Sequence, residues 1–301
     1  LDMEKEYKAR VVDYMIKGYE SGITPNPDVV CNREIKFGLF LERALSMSAD
    51  YIATGHYARI REVKSKNEKG KTVYKLFEAK DKNKDQSYFL WTLTQDQLKH
   101  TMFPLGDLTK DEVRKIAKKT GLPTAEKKDS QGICFIGEVS IKDFLEEYLP
   151  KKRGNARTPA GEILGTHEGA QFYTIGQRHG LGVSGNEPYY VAEKNTDTNT
   201  VVLATRDDPI LKHKEITLTD VNLILPTTHY PTSPRLRGAS PLSTTVYVRV
   251  RYRQPLQNAK LEINDKGAKI IFESPQKFVA PGQSAVFYAK NGELLGGGVI
   301  I

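Results

Sequence analysis

Met3, Tyr7, Val11 and Met15 recur at every fourth position near the start of the chain, a spacing that aligns one apolar stripe on a helix. A second helical pattern follows Cys31: Ile35, Leu39, Glu42 and Leu45 continue the repeat, three of the four apolar. Tyr51-Ile52-Ala53-Thr54 reads as a short buried strand that ends at Gly55-His56, where a strand-to-helix turn exposes backbone and side chains. Thr109 reads as an N-cap with Glu112 as its capping-box partner. Val113, Ile116 and Ala117 predict that helix's buried face, and Gly121 and Pro123 its stop. Ser140 caps a further predicted helix carrying Ile141, Phe144, Leu145 and Tyr148, ended by Pro150. Helices alternating with short strands predict an α/β layer domain over residues 1–149. The charged stretch from Arg61 to Lys75, with Gly70 near its middle, reads as a solvated hairpin tip or insertion loop without a catalytic part.

Helical periodicity stops near residue 150. Gly, Pro, Thr and β-branched residues take over, as in Val201-Val202-Leu203 and from Ala268 to Phe272, and predict two small β domains over residues 150–212 and 213–301. Within the second, Val246, Val248, Val250 and Tyr252 fall on one face at strand period, with Tyr247, Arg249, Arg251 and Arg253 on the other. One face is expected to pack inward. The other is expected to present guanidiniums and a ring outward, as a surface for nucleic acid. No internal repeat or low-complexity tract interrupts the chain.

The charge balance agrees with that surface. The 301 residues carry a formal net charge of +8, which favours a polyanionic partner, although ordinary solubilising charge reads equally well from composition alone. No apolar run approaches the roughly 20 residues that a membrane helix needs, and no secretory leader opens the sequence. With only 2 cysteines, the chain is no secreted disulfide framework, and a reducing interior fits better. It starts on Leu1 and almost directly in a helix, so a preceding piece is expected.

Those two cysteines suggest either a disulfide or a two-thiol reaction cycle, and their neighbours favour the second. Cys31 follows Thr24-Pro25-Asn26-Pro27-Asp28, a loop stiffened by two prolines. Asn26 and Asp28 offer an amide and a carboxylate able to read a base edge. Cys31 is expected at or just before a helix start, where the helix dipole would stabilise a thiolate. Cys134 sits in Asp129-Ser130-Gln131-Gly132-Ile133-Cys134-Phe135, with Lys127 and Lys128 upstream, on a segment suited to a thiol that swings between partners. For both, the competing reading is a buried structural cysteine. In Lys84-Asp85-Gln86-Ser87-Tyr88, Lys84 suits a phosphate and Gln86 a base or ribose, while Phe89, Leu90 and Trp91 read as core.

Seven stretches in order resemble the tRNA-specific 2-thiouridylases, the enzymes that place sulfur at position 2 of the wobble uridine. They begin with Thr24-Pro25-Asn26-Pro27-Asp28-Val29-Val30-Cys31-Asn32, Ala53-Thr54-Gly55-His56-Tyr57-Ala58 and Lys84-Asp85-Gln86-Ser87-Tyr88. Phe103-Pro104-Leu105-Gly106 and the Cys134 segment follow. Phe172-Tyr173-Thr174-Ile175-Gly176-Gln177-Arg178 and Ala280-Pro281-Gly282-Gln283-Ser284 complete the set.

The resemblance implies an adenine-nucleotide hydrolase-like α/β catalytic domain followed by two small β domains, the last a β-barrel. It makes Cys31 the nucleophile and Cys134 the persulfide carrier. It implies ATP, with Mg²⁺, as cosubstrate, and Gly55 as an ATP contact. Asn26, Pro27 and Asp28 would face the target base. His56, Lys84, Asp85, Gln86, Arg251, Tyr252 and Gln283 would touch tRNA. No metal-ligating residue is assigned.

The implied partners are tRNA and a sulfur-donor protein, either a cysteine desulfurase or a persulfide carrier. The implied location is the bacterial cytoplasm or an organelle interior, away from membranes. The family's opening strand and serine–glycine-rich phosphate loop have no counterpart here. The chain alone is therefore expected to bind ATP poorly, to be inactive, and to have unstable sheet edges. The alternatives are a non-catalytic tRNA-binding fragment, another ATP-dependent RNA sulfurtransferase and a thiol redox protein, the last disfavoured because the cysteines are not a local pair.

Overall fold

A computed structural model describes residues 1–65, 70–126, 140–185, 187–224, 242–264 and 267–301. Cys134, its flanking segment and the two lysines before it lie outside the described residues.

Glu4–Tyr7, Lys8–Val12 and Asp13–Glu20 run on as one helix, α1, π-helical in its middle part. The apolar stripe packs as its spacing predicts. Val11 meets Val30, Cys31 and Ile35, whereas Met15 and Tyr19 meet Leu145, Leu149 and Phe172. Pro27–Val30, Cys31–Leu39 and Phe40–Ser46 form a second continuous helix, α2, whose Cys31–Leu39 part is π-helical. Asn26 caps it, accepting from the Val29 amide at 3.3 Å, with Pro27 in the first turn, where its missing N–H leaves nothing unsatisfied. β1 (Ile52–Ala53) lies parallel to β4 (Thr101–Met102), Ile52 opposite Thr101. The short helix α3 (Gln95–Lys99) precedes β4.

In α4 (Lys110–Lys119) the Thr109–Glu112 capping box forms as expected, Glu112 accepting from the Thr109 amide at 2.6 Å. The face expected to be buried is not. No residue of α4 is buried, and Ile116 is 49% exposed. The spacing of Val113, Ile116 and Ala117 gave the stripe correctly but could not supply the surface that would cover it. Ser140 caps α5 (Ile141–Glu146) by accepting from Asp143, and Leu145 is its buried anchor.

The central part holds a four-stranded sheet in the order β6-β5-β8-β7. Its strands are β5 (Gly154–Arg157), β6 (Ile163–His167), β7 (Tyr189–Asn195) and β8 (Thr200–Thr205). β9 (Lys212–Leu223), β10 (Leu242–Arg249), β11 (Gln257–Asn264), β12 (Gly267–Lys277), β13 (Ser284–Tyr288) and β14 (Glu293–Ile300) form a closed barrel. The pairing order is β13-β10-β11-β12-β9-β14, and β14 pairs back onto β13. Closure removes the open edges that such strands would otherwise present.

The charged stretch between residues 61 and 75 is a hairpin, β2 (Ala58–Lys64) with β3 (Thr72–Glu78). Residues 66–69 of its tip lie outside the described residues. β3 pairs with β14 through Phe77–Glu293 and Leu76–Leu294, so part of the first region extends the barrel sheet. A shared core seals this joint: Tyr88, Leu90, Trp91 and Leu93 pack with Val286, Tyr288 and Leu294. Trp91 donates to Ser284 Oγ at 3.0 Å, and Tyr88 Oη to the Ser284 carbonyl at 2.8 Å.

Candidate functional site

A cleft of about 480 Å³ opens where the three parts meet. From the α/β region come Tyr19, the loop Thr24 to Asp28, Tyr88 and Phe89. Ile141 and Thr174 come from the middle of the chain, and Arg251, Tyr252 and Gln283 from the barrel. Six residues carried over from the resemblance therefore converge: Asn26, Pro27, Asp28, Arg251, Tyr252 and Gln283.

The proline loop is held from outside as well as by its own stiffness. The Thr24 amide donates to the Pro281 carbonyl at 2.9 Å. Gln283 Nε2 donates to the carbonyls of Thr24 (2.9 Å) and Pro25 (3.2 Å). Gly282 sits at φ +88°, and a Cβ there would lie 2.8 Å from the Thr24 carbonyl oxygen, so only glycine lets the two backbones meet. Asn26 is 8% exposed and its Oδ1 caps α2, so part of the amide expected to read a base edge holds the helix start instead.

The opposite wall is aromatic. The Phe89 and Tyr252 rings lie 4.5 Å apart, and Arg253 covers Tyr252 with its guanidinium 5.2 Å from the ring centre. Arg251 bridges two parts of the chain. It donates from Nε to the Phe278 carbonyl at 2.9 Å and from Nη2 to the Ile175 carbonyl. Burial pulls its pKa down from the ordinary guanidinium value.

Cys31 is not at a helix start. α2 begins at Pro27, and Cys31 lies beyond its first turn, 0% exposed among Val11, Val30 and Ile35. The expected dipole argument fails for that reason: the amides of Asn26's cap, not Cys31, occupy the positive end. Asn32, the next residue, donates from Nδ2 to the Phe89 carbonyl at 3.1 Å and ties the cysteine's helix to the aromatic wall.

The remaining expected contacts, Gly55, His56, Lys84, Asp85 and Gln86, do not line this cleft. Gln86 and Tyr57 exchange two hydrogen bonds, the Gln86 amide to the Tyr57 carbonyl at 2.8 Å and the Tyr57 amide to Gln86 Oε1 at 3.0 Å. That exchange fixes the loop after β1. His56 is 8% exposed, its Nδ1 is 2.8 Å from Thr54 Oγ1, and its ring lies near those of Phe37 and Phe103. Burial, with a smaller push from Lys36, lowers its pKa to about 3, so the ring is neutral at pH 7. Lys84 is half-buried in the turn after Asp81.

Asp85 is 2% exposed and accepts from the Ala79 and Ser87 amides, Ser87 Oγ and Arg249. These donors hold the loop between Ala79 and Ser87 in shape. Burial still raises its pKa, outweighing these donors.

Arg249 corrects the expected basic strand face. β10 ends at Arg249, so Arg251 and Arg253 lie in the turn beyond it rather than on one strand. Arg249 is 7% exposed, pairs with Glu78 at 2.5 Å and Asp85 at 3.3 Å, and lies 4.9 Å from the Tyr288 ring centre. A guanidinium this buried needs counter-charges, and β3 and the Asp85 loop supply them. Of the expected inward face, Val246, Val248 and Val250 are each at most 1% exposed, whereas Tyr252 lies beyond β10 and lines the cleft.

Phe89 packs against the core of Tyr88, Leu90 and Trp91 as expected and also lines the cleft; Tyr19, Thr24 and Thr174 had no assigned role. Only the position of Phe172 to Arg178 among the seven resembling stretches pointed towards Thr174.

Fold and cleft together define a three-part protein: an α/β layer of HUP type, a small β domain and a closed β-barrel around one aromatic- and guanidinium-lined cleft. Family models match in the same order. A tRNA methyl transferase HUP domain covers residues 1–138, a tRNA methyl transferase PRC-barrel domain residues 142–205, and an aminomethyltransferase beta-barrel domain residues 213–300. The chain is 46% identical over its full length to the tRNA-specific 2-thiouridylase MnmA of Listeria monocytogenes, spanning 76% of that protein. It is 45% identical to the protein of that name from Halalkalibacterium halodurans, again spanning 76%, and 41% identical to that of Christiangramia forsetii, spanning 82%. The chain belongs to the tRNA-specific 2-thiouridylase family.

Proposed function

We propose that this chain carries the base-binding cleft and both relay cysteines of an enzyme that thiolates C2 of the wobble uridine of tRNA, with ATP as cosubstrate and a two-cysteine sulfur relay. The observation that supports it is the convergence of Asn26, Pro27 and Asp28 with Arg251, Tyr252 and Gln283 in one cleft, one turn of helix from Cys31. Phe89 and Tyr252 would receive an unstacked base, since chemistry on a base requires that it leave its stack. Arg251 adds positive charge beside them. His56, Lys84, Asp85 and Gln86 complete the proposed tRNA surface, Asp85 and Gln86 by fixing the loops that carry the others.

ATP, with Mg²⁺ offsetting phosphate charge, supplies the adenylyl group that turns the uridine O2 into a leaving group. Gly55 fits an approach of that nucleotide. It follows β1 at the carboxyl end of a parallel pair, and a Cβ on it would touch only Leu105 Cδ1, at 3.8 Å, so packing does not require glycine there.

The terminal sulfur of a Cys134 persulfide attacks C2 and AMP departs. Cys31, as thiolate, then attacks the Cys134 sulfur. The thiouridine sulfur leaves, and a Cys31–Cys134 disulfide remains for cellular thiols to reduce. Because Cys31 is fully buried, this step requires the turn from Pro27 to Cys31 to open. The sulfur comes from a desulfurase or carrier protein in a reducing cytoplasm. No described helix is long and apolar enough to cross a membrane.

The test is nucleoside mass spectrometry of tRNA after reaction with ATP, Mg²⁺ and a persulfide donor. Cys31→Ser and Cys134→Ser each abolish 2-thiouridine while leaving tRNA binding intact. Full thiolation by either variant removes that cysteine from the relay. Binding of both tRNA and ATP without any thiolation selects the non-catalytic reading.

A further inference from the structure

A second concavity, about 390 Å³, lies on the central β domain, away from the cleft. Lys152, Arg153 and Arg157 line it together with Thr166, Thr198 and Thr200, and no carboxylate among the described residues does. None of the three cations forms an ion pair with a described residue. Lys151, one position earlier, shows the contrast: it pairs with Glu146 at 2.9 Å. Arg157 makes no side-chain hydrogen bond to a described residue, and its Nε is buried without a partner. Arg153 reaches only Thr166 Oγ1, at 3.4 Å, beyond the usual length for such a bond.

The floor of this notch is built. Asn199 accepts from the Ala170 amide at 2.9 Å and donates to the Lys152 carbonyl at 2.8 Å. Gly154 allows this, since a Cβ there would lie 2.2 Å from the Asn199 carbonyl oxygen.

Three cations that no described carboxylate pairs with, around one concavity, repel each other, and a bound anion relieves that repulsion. The volume is within the roughly 300–1,000 Å³ of ligand sites, but the lining is cationic and hydroxylic rather than apolar. Guanidiniums and threonine hydroxyls suit phosphate oxygens. The notch also connects to the cleft. Asn199 holds Ala170, and Thr174, four residues on, lines the cleft. Four residues span at most about 14 Å.

We propose that this notch is a second RNA contact, holding the sugar–phosphate backbone of the tRNA whose wobble base occupies the cleft. It rests on the tRNA-binding reading above and extends the interface to the central domain.

The test measures tRNA affinity across a salt series for the full chain, for Arg153→Gln/Arg157→Gln and for Arg153→Lys/Arg157→Lys. Thermal unfolding confirms that each variant is folded. The glutamine pair is expected to bind about tenfold more weakly near physiological salt, with the slope of log K against log salt reduced by about one to two. The lysine pair keeps the slope. Phosphates whose ethylation weakens binding to the unaltered chain lose that effect with the glutamine pair. An unaltered chain that binds no tRNA overturns the function reading. Steep salt dependence that the glutamine pair retains overturns the notch alone. Loss of sulfur-donor binding at an unchanged tRNA slope assigns the notch to a protein partner and overturns the RNA assignment.

Discussion

Gln283 on the barrel donates to the Thr24 carbonyl at 2.9 Å, joining residues 259 positions apart. The loop that precedes Cys31 is therefore positioned by the far end of the chain. Gln283→Ala is expected to raise the KM of thiolation for tRNA several-fold and to speed amide exchange over residues 24–31. Gln283→Glu, which keeps the size but cannot donate, should behave alike. The stability loss should be about 1–3 kcal/mol, the scale for stranding buried carbonyls. Unchanged exchange in both variants would show that the prolines alone hold the loop.

Arg249 gives a prediction opposite to the one its sequence context suggests. Arg249→Leu leaves Asp85 buried near Tyr288 without its cation and leaves buried Glu78 with Lys82 alone, at 2.8 Å. The loss should be on the order of 3–5 kcal/mol, measured as a lowered denaturant midpoint. Under conditions where the variant stays folded, the salt slope of tRNA binding should not move, because the guanidinium does not face solvent.

The contrast between Val248 and Arg249 marks what was legible. Alternation correctly separated the two faces of β10, but it could not say what covers the second one, because Glu78 and Asp85 come from far earlier in the chain. Local signals fared best: the caps at Thr109 and Ser140 and the stripe of α1 depend on residues within a few positions. The start of α2 was legible in principle from Asn26 and Pro27, yet the two prolines read as a stiff loop, which displaced Cys31 by a turn. The joining of β3 to β14 leaves no local trace. Phe89 was invisible as a cleft residue because an aromatic beside Leu90 and Trp91 reads as core until Tyr252 arrives from the barrel.

Phe89 and Tyr252 provide a test independent of charge. Phe89→Ala removes one ring of a pair 4.5 Å apart. Stacking of a base on such a ring is worth about 1–3 kcal/mol, so tRNA affinity should fall by roughly 5- to 150-fold with no change in salt slope. Phe89→Leu should recover packing but not stacking. If leucine restores binding fully, the wall serves only as hydrophobic support.

His56 connects the site to pH. Its folded pKa, about 3, lies below the ordinary histidine value of 6.5 because burial disfavours the charged ring. The unfolded chain therefore binds a proton that the folded chain refuses. The stability from keeping His56 neutral is fully present above pH 6.5 and is lost progressively as pH falls from 6.5 towards 3. Between pH 7 and pH 5 this one group should remove about 2 kcal/mol, at about 1.4 kcal/mol per pH unit below 6.5. Denaturant titrations of the unaltered chain and of His56→Gln at both pH values check it. The glutamine variant should show a pH-dependent loss smaller by that amount, because no imidazole remains to be charged. Equal losses in the two proteins would mean that the imidazole takes up its proton in the folded chain as readily as in the unfolded one.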